Sequence, residues 1–98
     1  MNMQNMISQI NKMKKEMMEE KEKIDQKIFV SKNSGILIEM KGTKELIKVE
    51  ILFDEIKNED KEMLEDMILV AINDVINQIE NETNEKLGKY TQGMPGII

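Results

Sequence analysis

The amino-acid sequence predicts an α+β fold of order α-β-β-β-α, in which a three-stranded antiparallel meander is packed by a long C-terminal helix. Three observations carry that expectation. Residues 60–87 contain no Pro or Gly and repeat apolar side chains at steps of three and four. Residues 27–53 switch to a period of two and are punctuated by Gly35 and Gly42. Residues 1–25 carry an apolar seam at heptad spacing.

Taken in order, Met3, Ile10, Met17 and Ile24 are spaced by seven, with Met6 and Met13 three after the first two. This is the pattern of a helix laid along another helix, and Glu20 interrupts it toward the strands. The opposite face is polar: Gln4, Asn5, Ser8, Asn11, Lys12 and Lys15. A lone helix with so narrow a seam is marginal in water, so it must dock on something. Ile28 and Val30 open a first strand, and Lys32-Asn33-Ser34-Gly35 reads as a hairpin turn. Ile36, Ile38 and Met40 then alternate with Leu37, Glu39 and Lys41. After the turn at Lys41-Gly42-Thr43, Ile47, Val49, Ile51 and Phe53 alternate with Leu46, Lys48, Glu50 and Leu52. Such alternation marks an antiparallel sheet with one buried face.

An acidic connector, residues 54–59, leads into the long helix. Asn58 or Asp60 is placed to cap its first turn, where Glu59, Asp60 and Glu62 also suit the helix dipole. Leu64, Met67, Ile68, Ala71, Ile72, Val75, Ile76 and Ile79 form its apolar stripe, and Gly88 is the expected stop. At ~1.5 Å per residue the helix spans about 40 Å, more than so small a core needs. A second copy of the chain is expected to meet the excess. Residues 88–98, ending in Gly93-Met94-Pro95-Gly96, read as a flexible tail. With no internal repeat and no linker, residues 1–98 make one domain.

Composition excludes several classes of function. The 98 residues contain no Cys and no His, which removes disulfides, thiolate or imidazole metal sites and the usual catalytic bases. Only two Phe, one Tyr and no Trp are present beside ten Met, so the core is aliphatic and adaptable. All 14 basic residues are Lys. No apolar run approaches the ~18 residues of a membrane span, and the first ten residues lack the apolar segment of a signal peptide. The expectation is a soluble cytoplasmic protein.

The remaining constellations favour structure over chemistry. Glu62, Glu65 and Asp66 share a helix face, but a catalytic pair needs a cleft, and a calcium loop needs Gly and carbonyl ligands missing here. Asn73 and Asp74, in mid-helix, read as outer-face residues or as a polar contact that fixes packing or dimer register. Ser8, Ser31 and Ser34 have no base to activate them, and no phosphate-cradling glycine loop is present. No enzyme activity, cofactor or metal is expected.

Asp60-Lys61-Glu62-Met63-Leu64-Glu65-Asp66-Met67, followed by Ala71-Ile72-Asn73-Asp74-Val75, resembles the D-x-E-M-L-E-D-L and A-x-N-D-A pattern of the YbaB/EbfC family of bacterial nucleoid-associated proteins. The Met- and Lys-rich first helix, the Gly-bounded strands, Val49-Glu50-Ile51 and the Gly/Met/Pro tail extend the resemblance over nearly the whole chain. Two departures are visible. The family's I-D-P after the third strand is Ile51-Leu52-Phe53-Asp54 here, and the second strand is one residue shorter between its glycines. The resemblance implies a tweezer-shaped homodimer that grips duplex DNA between helical arms with little sequence preference.

A net charge of −5 runs against DNA binding, but the charge is unevenly spread. Residues 1–15 hold three Lys and no acid, residues 86–98 two Lys and no acid, and residues 54–66 seven acids against two Lys. Lys12, Lys14, Lys15, Lys86 and Lys89, with Asn11, are therefore the candidate DNA-contacting residues, suited to phosphates rather than base edges. On the residues alone a solvated lysine face is the better explanation; the resemblance tips the balance to DNA in the bacterial nucleoid. Leftover apolar surface at Ile47, Val49, Ile51, Ile72 and Ile76 is the candidate homodimer interface. The competing reading is a protein-interaction adaptor whose N-terminal helix docks a replication or repair partner.

Overall fold

The computed structural model describes residues 2–33 and 35–91. Helix α1 spans Met3–Gln26, strands β1 to β3 span Ile28–Asn33, Ile36–Lys41 and Leu46–Ile51, and helix α2 spans Lys61–Thr91 after a single 3-10 turn at Asn58–Asp60. The expected α+β order is thus present. Ser34, inside the first turn, and the tail from residue 92 onward lie outside the described residues.

Each helix start has a local cause. Asn2 sits in extended conformation and its Oδ1 accepts from the Gln4 N–H at 2.8 Å, capping α1. Before α2, Asp60 Oδ2 accepts from the Lys57 N–H at 3.0 Å, which satisfies a donor ahead of the turn. The helix then runs through Gly88, where the stop was expected, to Thr91. Burial explains this: Leu87 and Tyr90, on either side of that glycine, are both packed into the core. Their packing outweighs the ~1 kcal/mol that a helical Gly costs.

The sheet is a meander of order β1-β2-β3, antiparallel throughout. Phe29 faces Met40, Ser31 faces Ile38, Ile36 faces Ile51 and Ile38 faces Val49. Directly opposed residues share a face of the sheet, so all of these point the same way. The inner residues of β1 are therefore Phe29 and Ser31; Ile28 and Val30, which open the strand in the sequence, lie on the exposed side. A register shift between Glu39 and Met40 leaves Ile47 as an extra residue on β3. The turn before it holds Lys44 at a φ of 73°.

Two glycines are fixed by close approach. Gly35 has a φ of +88°, and a Cβ there would stand 2.7 Å from the Phe53 ring. A Cβ on Gly42 would stand 1.8 Å from the Ile24 carbonyl oxygen, so the end of α1 lies directly on this turn.

Helix α2 lies across β1 and β2, with Ala71, Val75 and Ile79 buried against the inner face. Val75, Ile79, Ile36 and Ile38 are almost wholly removed from solvent, each contributing about 1.5–3 kcal/mol. The rest of α2 projects beyond the sheet, and α1 folds back against it. The excess helix length, expected to meet a second copy, is thus met in large part by the chain's own α1. The result is a long, thin molecule of 70 × 20 × 14 Å.

Candidate nucleic-acid interface

The projecting α1–α2 pair forms an arm, and two ion pairs lie at its root. Lys27 Nζ lies 2.6 Å from Glu82 Oε1, and Lys44 Nζ lies 3.2 Å from Glu80 Oε1. Gln78 Nε2 donates to the Val30 carbonyl at 3.2 Å and to Asp74 Oδ2 at 3.1 Å, tying β1 to the same stretch of α2. Asp74 is thus a polar contact within the chain that orients Gln78, while Asn73 is exposed. Farther out, one cleft is lined by Met17, Lys21 and Asp25 of α1 and by Glu80, Thr83 and Leu87 of α2. The end of α1 lies at the Gly42 turn, whose Lys44 reaches Glu80, so the two helices run antiparallel, with residue 17 roughly level with residue 87.

Burial along the heptad seam records where this pairing ends. Ile24 is buried, Met17 and Met13 are half-buried against the core cluster, and Ile10, Met6 and Met3 are exposed. The expected seam therefore exists for its C-terminal half only.

The candidate lysines lie on this arm. By the antiparallel offset, Lys14 and Lys15 fall level with Tyr90 and Lys89, and Lys86 falls level with Met18. All five lysines thus sit within roughly 9 Å of arm length at ~1.5 Å per residue. At ~100° per residue, Lys12 and Lys14 flank the Met13–Met17 seam and Lys15 points away from it. Asn11, Lys14, Lys15 and Met18 share one shallow exposed surface with Glu19, Glu22 and Lys23. Lys89 Nζ lies 5.0 Å from the centroid of the Tyr90 ring, a cation–π contact.

Partnering separates these lysines from most others. Lys21, Lys23, Lys27, Lys41, Lys44 and Lys48 each lie within 4.0 Å of a carboxylate. Lys12, Lys14, Lys15, Lys86 and Lys89 pair with none among the described residues, nor do Lys32, Lys57 and Lys61. The arm is where unpaired ammonium groups gather on two adjacent helices. Such groups can hold phosphates as point charges, whereas paired, bidentate reading of guanine belongs to side chains absent here.

A second surface is apolar. Val49 and Ile51 share a face with the buried Ile38 and Ile36, yet Leu46, Ile47, Val49 and Ile51 remain 37–47 % exposed, because α2 lies over β1 and β2. Ile72 and Ile76 are half-buried on α2. They stand in line with Glu80 at steps of four, on the side where Lys44 brings in the β2–β3 turn. Val49, Ile51, Ile72 and Ile76 thus border one uncovered strip between α2 and β3, with Ile47, the extra residue of β3, exposed beside Leu46 in the chain. Sequence reasoning missed the residues at the root of the arm: Gly42, Lys44, Gln78 and Glu80. Only the Gly42-Thr43 turn marks them in the sequence, since their partners are distant in the chain.

Glu59, Glu62 and Asp66 line a surface cleft with Met63, Met67 and Val70, all but Met67 of them well exposed. No group of three or more acidic side chains could hold a metal ion among the described residues. No helix among them is long and apolar enough to cross a membrane.

Comparison with known proteins bears on these surfaces. The model of the YbaB/EbfC DNA-binding family matches residues 1–94. A nucleoid-associated protein of Lactococcus lactis is 41% identical over 97 residues, covering 97% of this chain and 98% of its own. Another from Enterococcus faecalis is 38% identical over 98 residues, covering 98% and 94%. Among solved structures, an uncharacterised Helicobacter pylori protein matches with a TM-score of 0.66 at 24% identity, over 87% of this chain and 91% of that one. The last likeness concerns the fold alone.

Proposed function

Because this chain belongs to the YbaB/EbfC DNA-binding family, whose members are not enzymes, we propose that it is a nucleoid-associated protein that binds duplex DNA as a homodimer. The arms make the contact, with Lys12, Lys14, Lys15, Lys86 and Lys89 on phosphates and Asn11 beside them. The observation that carries this reading is the gathering of five unpaired ammonium groups on the arm, while six of the other nine lysines are held by carboxylates among the described residues. Phosphate contacts set position without reading bases, so sequence preference is small. Two protomers join through the strip bordered by Val49, Ile51, Ile72 and Ile76, together with Ile47 of β3, which leaves both arms outside. Such a dimer coats DNA in the bacterial cytoplasm and thereby acts on nucleoid organisation and gene expression.

Fluorescence anisotropy with random duplex DNA at two salt concentrations tests this. Log affinity falls against log salt with a slope of about −0.9 per phosphate contact. Five lysines from each of two protomers can supply up to ten of them. Replacing Lys12, Lys14 and Lys15 together by Glu is expected to abolish a gel shift and leave the circular-dichroism melt nearly unchanged. Binding that survives the triple change rules out this surface. Absence of DNA affinity at physiological salt, with capture of a replication or repair protein that depends on Met6, Ile10 and Met13, would establish the adaptor instead.

A further inference from the structure

The arm tip carries an apolar surface that neither the core nor the lysine cluster uses. Met3, Met6, Ile7 and Ile10 are 77, 47, 54 and 39 % exposed, although Met3, Met6 and Ile10 continue the seam that Met13, Met17 and Ile24 use to pack on α2. A seam of this spacing is complementary to another helix. The chain's own α2 supplies that helix only as far as the level of Met13. The tip is also uncharged: residues 2–11 contain no Asp, Glu or Lys, in a chain where 34% of residues are charged.

We propose that residues 3–10 of α1 are a self-association surface, through which the arm tips of two copies pair antiparallel about a twofold axis between Met6 and Ile7. Three features select a second copy as the occupant. The surface continues a helix-packing seam already in use, so its shape suits a helix. It is neutral, so two copies meet without like-charge repulsion at the contact. And its apolar positions are self-complementary in this register: Met3 opposes the second copy's Ile10 and Met6 opposes its Ile7, as an isologous contact requires. The nearest charged side chain, Lys12, falls beyond the level of the second copy's Asn2, at the edge of the pair. The contact is small, so it is weak between free molecules. Copies held on one duplex meet at an effective concentration on the order of mM, enough to link neighbours or bridge two duplexes. Only this last consequence rests on the DNA-binding reading.

The absence of cysteine makes the test direct. Met3→Cys and Ile10→Cys are made singly in the full-length chain and oxidised separately or as a mixture. In the proposed register positions 3 and 10 are opposed, while each is displaced from its own copy by about 10 Å along the axis, beyond disulfide reach. A disulfide in the mixture, with neither variant cross-linking alone, is the expected result. Equal cross-linking alone and mixed overturns the register. No cross-link, as would follow if residues 92–98 of the same chain occupied the tip, overturns the pairing. So does a cross-link abolished by added duplex, which would place DNA at the tip. Sedimentation of Val49→Lys/Ile51→Lys keeps the two dimer surfaces apart: its effect on mass reports the sheet-side dimer and leaves the tip cross-link unchanged.

Discussion

Replacing Gly42 by Ala tests how the arm is seated. The added Cβ would lie 1.8 Å from the Ile24 oxygen, 2.5 Å from its carbonyl carbon and 3.1 Å from Asp25 Cα, all backbone atoms that no rotamer change can move. Ordinary contact begins at 3.4 Å, so the end of α1 must retreat by 3.4 − 1.8 = 1.6 Å or the turn must move by as much. Either shift disturbs the Gly42 N–H bond to the Lys27 carbonyl at 3.0 Å, contributing about 1 kcal/mol. It also uncovers part of the buried Ile24, which contributes about 1.5–3 kcal/mol. A loss of roughly 3 kcal/mol lowers the melting temperature of a domain this size by about 12–24 °C. Gly88→Ala is the matched control, since its Cβ meets nothing within 4 Å and the site is helical. It is expected to stabilise by about 0.5–1 kcal/mol. Thermal melts by circular dichroism read both. A Gly42→Ala melt coincident with that of the parent protein would refute this seating of α1.

Gly35→Ala is destabilising through both its φ of +88° and the Phe53 ring 2.7 Å from the new Cβ. Adding Phe53→Ala removes the second cause only, so a double-mutant cycle in urea should show partial, not full, recovery. Val49→Lys with Ile51→Lys places charge on the uncovered strip; sedimentation should then show a monomer with unchanged far-UV circular dichroism. The Lys27–Glu82 pair is short but its lysine is half exposed, so a double-mutant cycle should give a coupling below about 1 kcal/mol. The hydrogen bond and charge of Glu50, 2.9 Å away, raise the pKa of Lys48. A raised lysine stabilises fully below its unfolded value and loses that contribution as pH climbs past it. Both side chains are about half exposed, so solvent screens the pair: Lys48→Gln should leave the melt at neutral pH unchanged within error, and the parent protein should show no loss traceable to Lys48 until alkaline pH.

The helices and the meander were legible because their periodicities differ and glycines divide them. The inner face of β1 was not. Ile28, Phe29 and Val30 are consecutive and apolar, so period-two parity has no anchor, and Ser31 looks like a solvent residue although it is buried. Only the register with Ile38 and Met40 decides it. The extra residue at Ile47 is likewise invisible locally, since Leu46, Ile47 and Val49 suit a regular strand. Both helical seams were readable, but not that they meet each other: Met17 and Leu87 are seventy residues apart, and no periodicity encodes which partner a seam will find. The same limit applies to Lys27 with Glu82 and Lys44 with Glu80, whose spacing in the chain carries no trace of contact.

Net charge is the property of this chain most at odds with a polyanionic partner, and the shape of the molecule removes the conflict. Asp60, in the turn that leads into α2, and Lys86, near the far end of that helix, are separated by 26 residues or about 39 Å at ~1.5 Å per residue. At physiological ionic strength the Debye length is about 8 Å, so a phosphate at the arm lies nearly five screening lengths from the acids around the start of α2. What it meets is the local field of the arm, where Lys12, Lys14, Lys15, Lys86 and Lys89 are opposed by Glu16, Glu19 and Glu85 without being paired to them. Lowering the salt lengthens the screening distance to about 30 Å at 0.01 M, and the distant acids then begin to count. Log affinity should therefore rise less steeply than its moderate-salt slope as salt is lowered toward 0.01 M. Replacing Glu59, Glu62 and Asp66 by their amides should restore the linear dependence at low salt and change nothing at 0.15 M. A log–log plot that stays straight for the parent protein would show that the far acids never reach the contact, and that the arm alone sets affinity at every ionic strength.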